Sequence, residues 1–503
     1  MTAIRPVLDD PIARARHMLQ SAQWAARDFS RFDKSAVDQV VAAVAEAAVV
    51  HSNAFAEWAV RETGFGVVEH KQLKNEFASR GLLNHYQTTD YVTRRVDTAR
   101  RILVLPKPAG VVLGLTPSTN PVSTLYFKVI LCLMTRNAIV VSPHPLAREC
   151  STEAAKMLAE AAVGAGAPPN VVQVVDAPSI PLVEALMVDR NTNLILATGG
   201  SGVVRAAYRS GNPAIGVGPG NAPVVVDATA DLERAARSIV RGKAFDNGLL
   251  CSAESVIVVE EAVAGELSRA LTRAGCHVCS QAETERLRTL LFGTGHLNPS
   301  VIGKSARWIA KEAGLRVAPN TEVLVTPIEL VVDEEPLAAE KLSPIASMVE
   351  QKDFASAVRA AAATIRITGM GHSAAIHTRT PRHVDEYAQE VGVLRVIVNA
   401  PNGTGVAGID THLAPTMTVG TGFVGRSSLG ENLEPRHLVN WRRVAYASDT
   451  AVDFPNVGLA EEWTSARSDL GTGTGGNLED PALRQEIRRL LVEELRAYSG
   501  AGR

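Results

Sequence analysis

Residues 109–141 read AGVVLGLTPSTNPVSTLYFKVILCLMTRNAIVV. Val111–Leu115 is a continuous apolar run, Thr116–Pro121 carries turn residues, Val122–Met134 is an apolar segment of helical length, and Ala138–Val141 is apolar again. A strand with no polar alternation is buried on both faces. A helix between two such strands is the crossover that a parallel sheet requires. The pattern continues outward: helix Leu146–Ala162, strand Val171–Val174, helix Pro181–Val188, strand Leu194–Ala197, then the turn Thr198–Gly202. Strands alternating with helices define a doubly wound α/β domain, and such sheets bind ligands beyond the carboxyl ends of their strands.

Toward the N-terminus the pattern is different. Residues 11–62 are helical, with Val37, Val40, Val41, Val44 and Ala48 on one face, and are expected to wrap the outside of the sheet. Val96–Pro106 reads as an exposed strand or hairpin, an arm suited to oligomerisation. Beyond residue 245, strand Ser255–Val259 and helix Ala264–Ala274 open a second α/β section that runs on through Ile397, and Thr411–Tyr446 is rich in Gly and Thr. The expected domains are therefore 1–245, 246–415 and a bridging segment 416–447. After Trp463 the glycine-rich stretch 465–479 reads as a linker. Residues 480–499 form an amphipathic helix, with Asp480 as cap and Leu483, Ile487, Leu491, Leu495 and Tyr498 on one stripe.

Composition excludes several classes. The 503 residues carry 51 Lys+Arg against 53 Asp+Glu, so no basic field exists for nucleic acid or an anionic membrane. No segment has the uninterrupted apolar length of a bilayer span, and residues 1–10 lack the apolar core of a signal peptide; a cytoplasmic location is the expectation. Cys132, Cys150, Cys251, Cys276 and Cys279 are too few for a disulfide scaffold, and the single CxxC at 276–279 has no second ligand pair, so no metal is expected.

Chemistry concentrates in three places. Cys251, in Phe245–Glu254 (FDNGLLCSAE), is the candidate nucleophile, because backbone N–H groups of the turn at Asn247-Gly248, read as a loop-to-helix junction, can stabilise a thiolate; an inert buried cysteine is the plainer alternative. Asn120, at the end of the turn after the first strand, offers an amide to a developing oxyanion, although it also suits a plain turn. Thr198, Gly199, Gly200 and Ser201 could let backbone N–H groups approach a pyrophosphate at a helix N-terminus, though GxGxxG is absent.

These motifs, together with Gly216–Pro223 (GVGPGNAP) and Glu340 four residues before Pro344, resemble the aldehyde dehydrogenase superfamily over roughly residues 10–447. The wording of Ser118–Pro121, Ser142–Pro145 (SPHP) and Glu431–Asn440 (ENLEPRHLVN) is most similar to the CoA-acylating branch, which includes bacterial microcompartment enzymes and the dehydrogenase domain of aldehyde-alcohol dehydrogenases. The resemblance implies a doubly wound cofactor domain, an α/β catalytic domain and an oligomerisation arm, assembled as a homodimer or homotetramer. It also implies Cys251 as nucleophile and Asn120 as oxyanion donor. For the cofactor it implies Glu340 on the nicotinamide ribose, Gly199 and Gly200 near the pyrophosphate, and NAD or NADP contacts altered at Ser142 and His144, where hydrolytic relatives have a Lys-Pro pair. Hydrolytic relatives also carry a glutamate where this chain has Gly216-Val217, so the acyl group is expected to pass to coenzyme A. Acetaldehyde or propionaldehyde is the first expectation for substrate. Sulfoacetaldehyde, prompted by Arg426, is the alternative, and a catalytically idle shell-binding component is the rival class; the C-terminal helix resembles peptides that dock cargo onto microcompartment shells.

Overall fold

The computed structural model describes residues 10–449 and Phe454. The expected linker at 465–479 and helix at 480–499 lie outside the described residues. The described residues form two units, residues 10–94 with 105–442, and residues 95–104 with those described from 443 on. In the second unit the expected hairpin is present: β1 (Arg95–Asp97) pairs antiparallel with β2 (Ile102–Pro108), Val96 facing Leu103.

The first unit holds two parallel sheets. The first contains β3 (Val111–Leu115), β4 (Ala138–Ser142), β5 (Val172–Val174), β6 (Leu194–Thr198) and β7 (Ala214–Val217) in the order β5-β4-β3-β6-β7. The chain starts in the middle at β3, winds outward to β5, then returns to β6 on the other side. Its switch point thus lies between β3 and β6, where crossovers depart to opposite faces and leave a crevice. The turns leaving these two strands carry Asn120 and Thr198–Gly200. Helix Pro121–Met134 is buried along its whole length, as its largely apolar sequence requires, and helix Lys34–Val50, whose buried face includes Val37, Val41 and Val44, packs against it.

The second sheet contains β8 (Ala222–Val226), β9 (Glu254–Glu260), β10 (Cys276–Val278), β11 (Val323–Pro327), β12 (Ile345–Gln351), β13 (Ala374–His377) and β14 (Val396–Val398), in the order β10-β11-β12-β9-β8-β13-β14. The sequence boundary at residue 245 placed β8 and the helix Leu232–Ala244 with the first sheet. In the structure β8 pairs with β9 and β13, so the crossing between sheets is at Gly218–Asn221. A buried apolar strand carries the same signature in either sheet, which is why the sequence did not separate them. Strand β15 (Val439–Ala445) joins β2 in the small sheet. No single helix among the described residues is long and apolar enough to cross a membrane.

Candidate active site

Cys251 lies in the turn just before β9, not before a helix as its sequence context suggested. Asp246, Asn247 and Gly248 all have positive φ, at 51°, 55° and 71°. Three consecutive left-handed residues curl the chain sharply between helix Leu232–Ala244 and the strand, which glycine and asparagine tolerate best. Other groups arrive the same way: Glu340 precedes β12 and His372 precedes β13. Because the strands are parallel, Cys251, Glu340 and His372 share the amino edge of the second sheet, while Asn120, His144 and Thr198–Gly200 come from the carboxyl edge of the first.

These edges enclose a cavity of about 410 Å³ lined by Asn120, His144, Thr198, Gly199, Gly200, Cys251 and Glu340, with Leu249, Leu250, Met417 and Val419 among its apolar walls. Ser142 and Ser201, the remaining sequence candidates, do not line it. Ser142 is buried at the end of β4, where its carbonyl accepts from Thr116 N–H; Ser201 is exposed on the helix Ser201–Arg209. Arg426 is exposed in a left-handed turn and does not line the cavity either.

Burial pushes the Cys251 thiol up to about 12, and the nearby Glu340 carboxylate adds to this; the amides of Cys251 and Ser252 and the guanidinium of Arg395 pull it back. His372 Nε2 stands 3.1 Å from Cys251 Sγ. Its burial, with Arg395 beside it, holds its pKa down to about 3, so the imidazole is neutral and its Nε2 can accept a hydrogen bond from the thiol. Behind it, His372 Nδ1 lies 3.0 Å from Ser373 Oγ, which also accepts from Asn402 Nδ2 at 3.1 Å. Asn402 Nδ2 donates to Ser252 O at 2.7 Å as well, which ties the histidine loop to the cysteine loop. Arg395 is buried and donates to Asn432 Oδ1, His372 O and Gly420 O.

Glu340 is not the solvated carboxylate that its charged surroundings, Asp333–Lys341, would allow. Burial raises its pKa to about 7 against the opposing pull of Lys243, and Oε1 is buried without a hydrogen-bond partner. An orphaned acceptor at the wall of a cavity fits a ligand hydroxyl. The turn at Gly199-Gly200 fits a bulky anion equally well, because a Cβ on Gly200 would meet only open space.

Sequence reasoning missed His372, which is 121 residues from Cys251 and carries no local motif. It also missed the lysines behind Asn120. Lys74 donates to Asn120 Oδ1 and to Asp246 Oδ2, and Lys71 donates to Thr119 O at 2.9 Å and Asp246 Oδ2 at 3.0 Å. Two lysines converging on one buried aspartate leave no spacing signature, since Asp246 comes from a distant turn.

Two parallel sheets whose edges share one cavity, with a cysteine on one edge and an open glycine turn on the other, define an α/β protein of the class that places its binding site at sheet edges. The aldehyde dehydrogenase family model matches residues 7–411, and the chain belongs to that family. It is 38% identical over 441 residues to the bifunctional aldehyde-alcohol dehydrogenase AdhE of Escherichia coli K12, covering 86% of this chain and 49% of that protein; the chain thus spans about half the length of that relative. It is 36% identical over 431 residues to the acylating sulfoacetaldehyde dehydrogenase of Cupriavidus necator H16, covering 84% of this chain and 87% of that one. Among solved structures, the propionaldehyde dehydrogenase of the Clostridium phytofermentans fucose utilisation microcompartment aligns with a TM-score of 0.80 at 30% identity, covering 87% of this chain and 98% of that one.

Proposed function

We propose that this protein oxidises a short-chain, uncharged aldehyde to its acyl-CoA, with NAD as the hydride acceptor and Cys251 as the nucleophile. The observation that carries the substrate class is the cavity wall. Among the described residues lining it there is no lysine or arginine, and its apolar side chains include Leu249, Leu250, Met417 and Val419. A sulfonated aldehyde would need a buried cation to offset its desolvation, and Arg426, the residue that prompted that alternative, is elsewhere.

In this reading His372 Nε2 accepts the Cys251 proton as Sγ attacks the carbonyl carbon. Asn120 Nδ2 and the Cys251 N–H then hold the oxyanion, each donor contributing about 3 kcal/mol to transition-state stabilisation. Glu340 and the Gly199-Gly200 turn would hold the dinucleotide, which supplies a hydride acceptor when bound. The acyl group left on Cys251 is a thioester. Among the described lining residues Glu340 is the one carboxylate, and the Gly216-Val217 position, where hydrolytic relatives carry a glutamate, offers no base, so a thiol acceptor is favoured over water.

The test is an acceptor and cofactor panel with purified protein. Propionaldehyde is expected to reduce NAD only with CoA present, with at least about tenfold lower kcat/KM for sulfoacetaldehyde, and Cys251→Ala is expected to abolish turnover. Sustained NADH formation with phosphate or water in place of CoA, or a preference for the sulfonate, would refute this assignment.

A further inference from the structure

We propose that Lys74 is a positioning residue that fixes which end of the Asn120 amide faces the reacting carbon. The two ends of an asparagine amide are nearly identical in shape and opposite in hydrogen bonding, so an oxyanion site built on one must enforce its orientation. An ammonium has three donors and no acceptor. Whatever faces Lys74 Nζ must therefore be the oxygen, and the structure places Asn120 Oδ1 there. Nδ2 is thereby turned the other way. One of its N–H groups goes to Thr119 Oγ1 at 3.2 Å, and the second remains for an oxyanion.

The lysine is itself clamped. It is fully buried on helix Val68–Glu76 and shares Asp246 with Lys71. Asp246 Oδ1 accepts from Val67 N–H at 2.8 Å, and its own N–H donates to His70 Nδ1 at 2.9 Å, so the carboxylate is tied to the first turn of the helix that bears both lysines. Burial would raise its pKa, but Lys74 and Lys71 outweigh that and hold it below the ordinary carboxylate range. Lys71 in turn donates to Thr119 O at 2.9 Å. One aspartate, five residues ahead of the nucleophile, thus holds the Asn120 turn through two cations. The groups facing Lys74 from the packed elements are Asp246, Lys71, His70 and Asn120, which leaves the cluster with one cation in excess beside the site where negative charge develops.

This inference rests on the reading of Asn120 as an oxyanion donor, and the experiment separates the two. Steady-state kcat with propionaldehyde, NAD and CoA is measured for Asn120→Ala, Lys74→Met and the double variant, with iodoacetamide alkylation of Cys251 as a second readout. Asn120→Ala is expected to lose about 100-fold or more in kcat and Lys74→Met about tenfold or more. The double variant should fall no further than Asn120→Ala alone, as expected when one residue acts through the other. The KM for CoA and the alkylation rate should stay within about threefold of wild type in Lys74→Met, because the amide acts on the carbonyl oxygen and not on the thiol. Lys71 remains to pair Asp246 in this variant. Should it nevertheless melt early, Lys74→Gln, whose amide can present either end to Asn120, carries the same comparison. If Asn120→Ala keeps wild-type kcat, the oxyanion reading fails. If Asn120→Ala falls but Lys74→Met does not, or if the two losses add, or if alkylation slows with kcat, Lys74 does not act by orienting the amide.

Discussion

Cys251, the proposed nucleophile, stands where its anion is disfavoured. Desolvation, with Glu340 adding a repulsive carboxylate, keeps the thiol protonated at neutral pH, and His372 is neutral for the same reason of burial. The resting pair is therefore a thiol hydrogen-bonded to an imidazole, not a thiolate facing an imidazolium, and the proton moves only as the sulfur attacks. The sign follows directly: a raised thiol pKa means that thiolate grows with pH across the neutral and alkaline range. Alkylation of Cys251 by iodoacetamide should climb steadily from pH 7 to above 9 without a plateau. His372→Asn should slow it by about tenfold near pH 7, with the two curves converging at high pH. A plateau below pH 7 would mean an ion pair and would contradict this account. Cys251 and Asn120 were legible in the sequence because each stands inside a contiguous motif. His372 was not, since Gly371-His372-Ser373 has nothing local to mark it and its partner is brought to it by β9 and β13 flanking β8.

At the level of elements, strands and helices were readable wherever continuous apolar runs alternate with helical ones. What could not be read was which edge of which sheet each loop serves. The carboxyl-edge rule locates Asn120 and Thr198–Gly200 correctly, yet Cys251, Glu340 and His372 all sit at amino edges of the second sheet, where no general rule would seek them. The two edges are brought together by Gly218–Asn221. A Cβ on Gly220 would lie 1.8 Å from the Cys251 carbonyl oxygen, a backbone atom that cannot swing aside. Gly220→Ala should therefore push the cysteine turn off its geometry. Since a displacement of about 1 Å at the reacting groups can cost about 100-fold in rate, kcat should drop by at least about tenfold, with a modest fall in melting temperature. A kcat within twofold of wild type would show that the turn yields without disturbing Sγ.

On the scale of the whole molecule, the composition and the two successive α/β sections foretold two sheets but not that they face one another across one cavity. Sequence order hides this, because the chain completes the first sheet before it supplies the nucleophile. The arrangement has a kinetic consequence. Asn120, Cys251, Glu340 and the Gly199-Gly200 turn all line the same space, so in the proposed reaction oxidation and acyl transfer would use one nucleophile in sequence. The lining offers no second carboxylate to activate water among the described residues. With propionaldehyde and NAD but no CoA, rapid mixing should then give a burst approaching one NADH per Cys251, followed by a rate at least about 100-fold below turnover. Intact mass should show one acyl group retained on the protein, and adding CoA should discharge it as the thioester and restore turnover. NADH production that continues at the burst rate without CoA, with no acyl adduct, would instead show that water reaches the thioester, and that the missing glutamate at Gly216-Val217 has been replaced by another base.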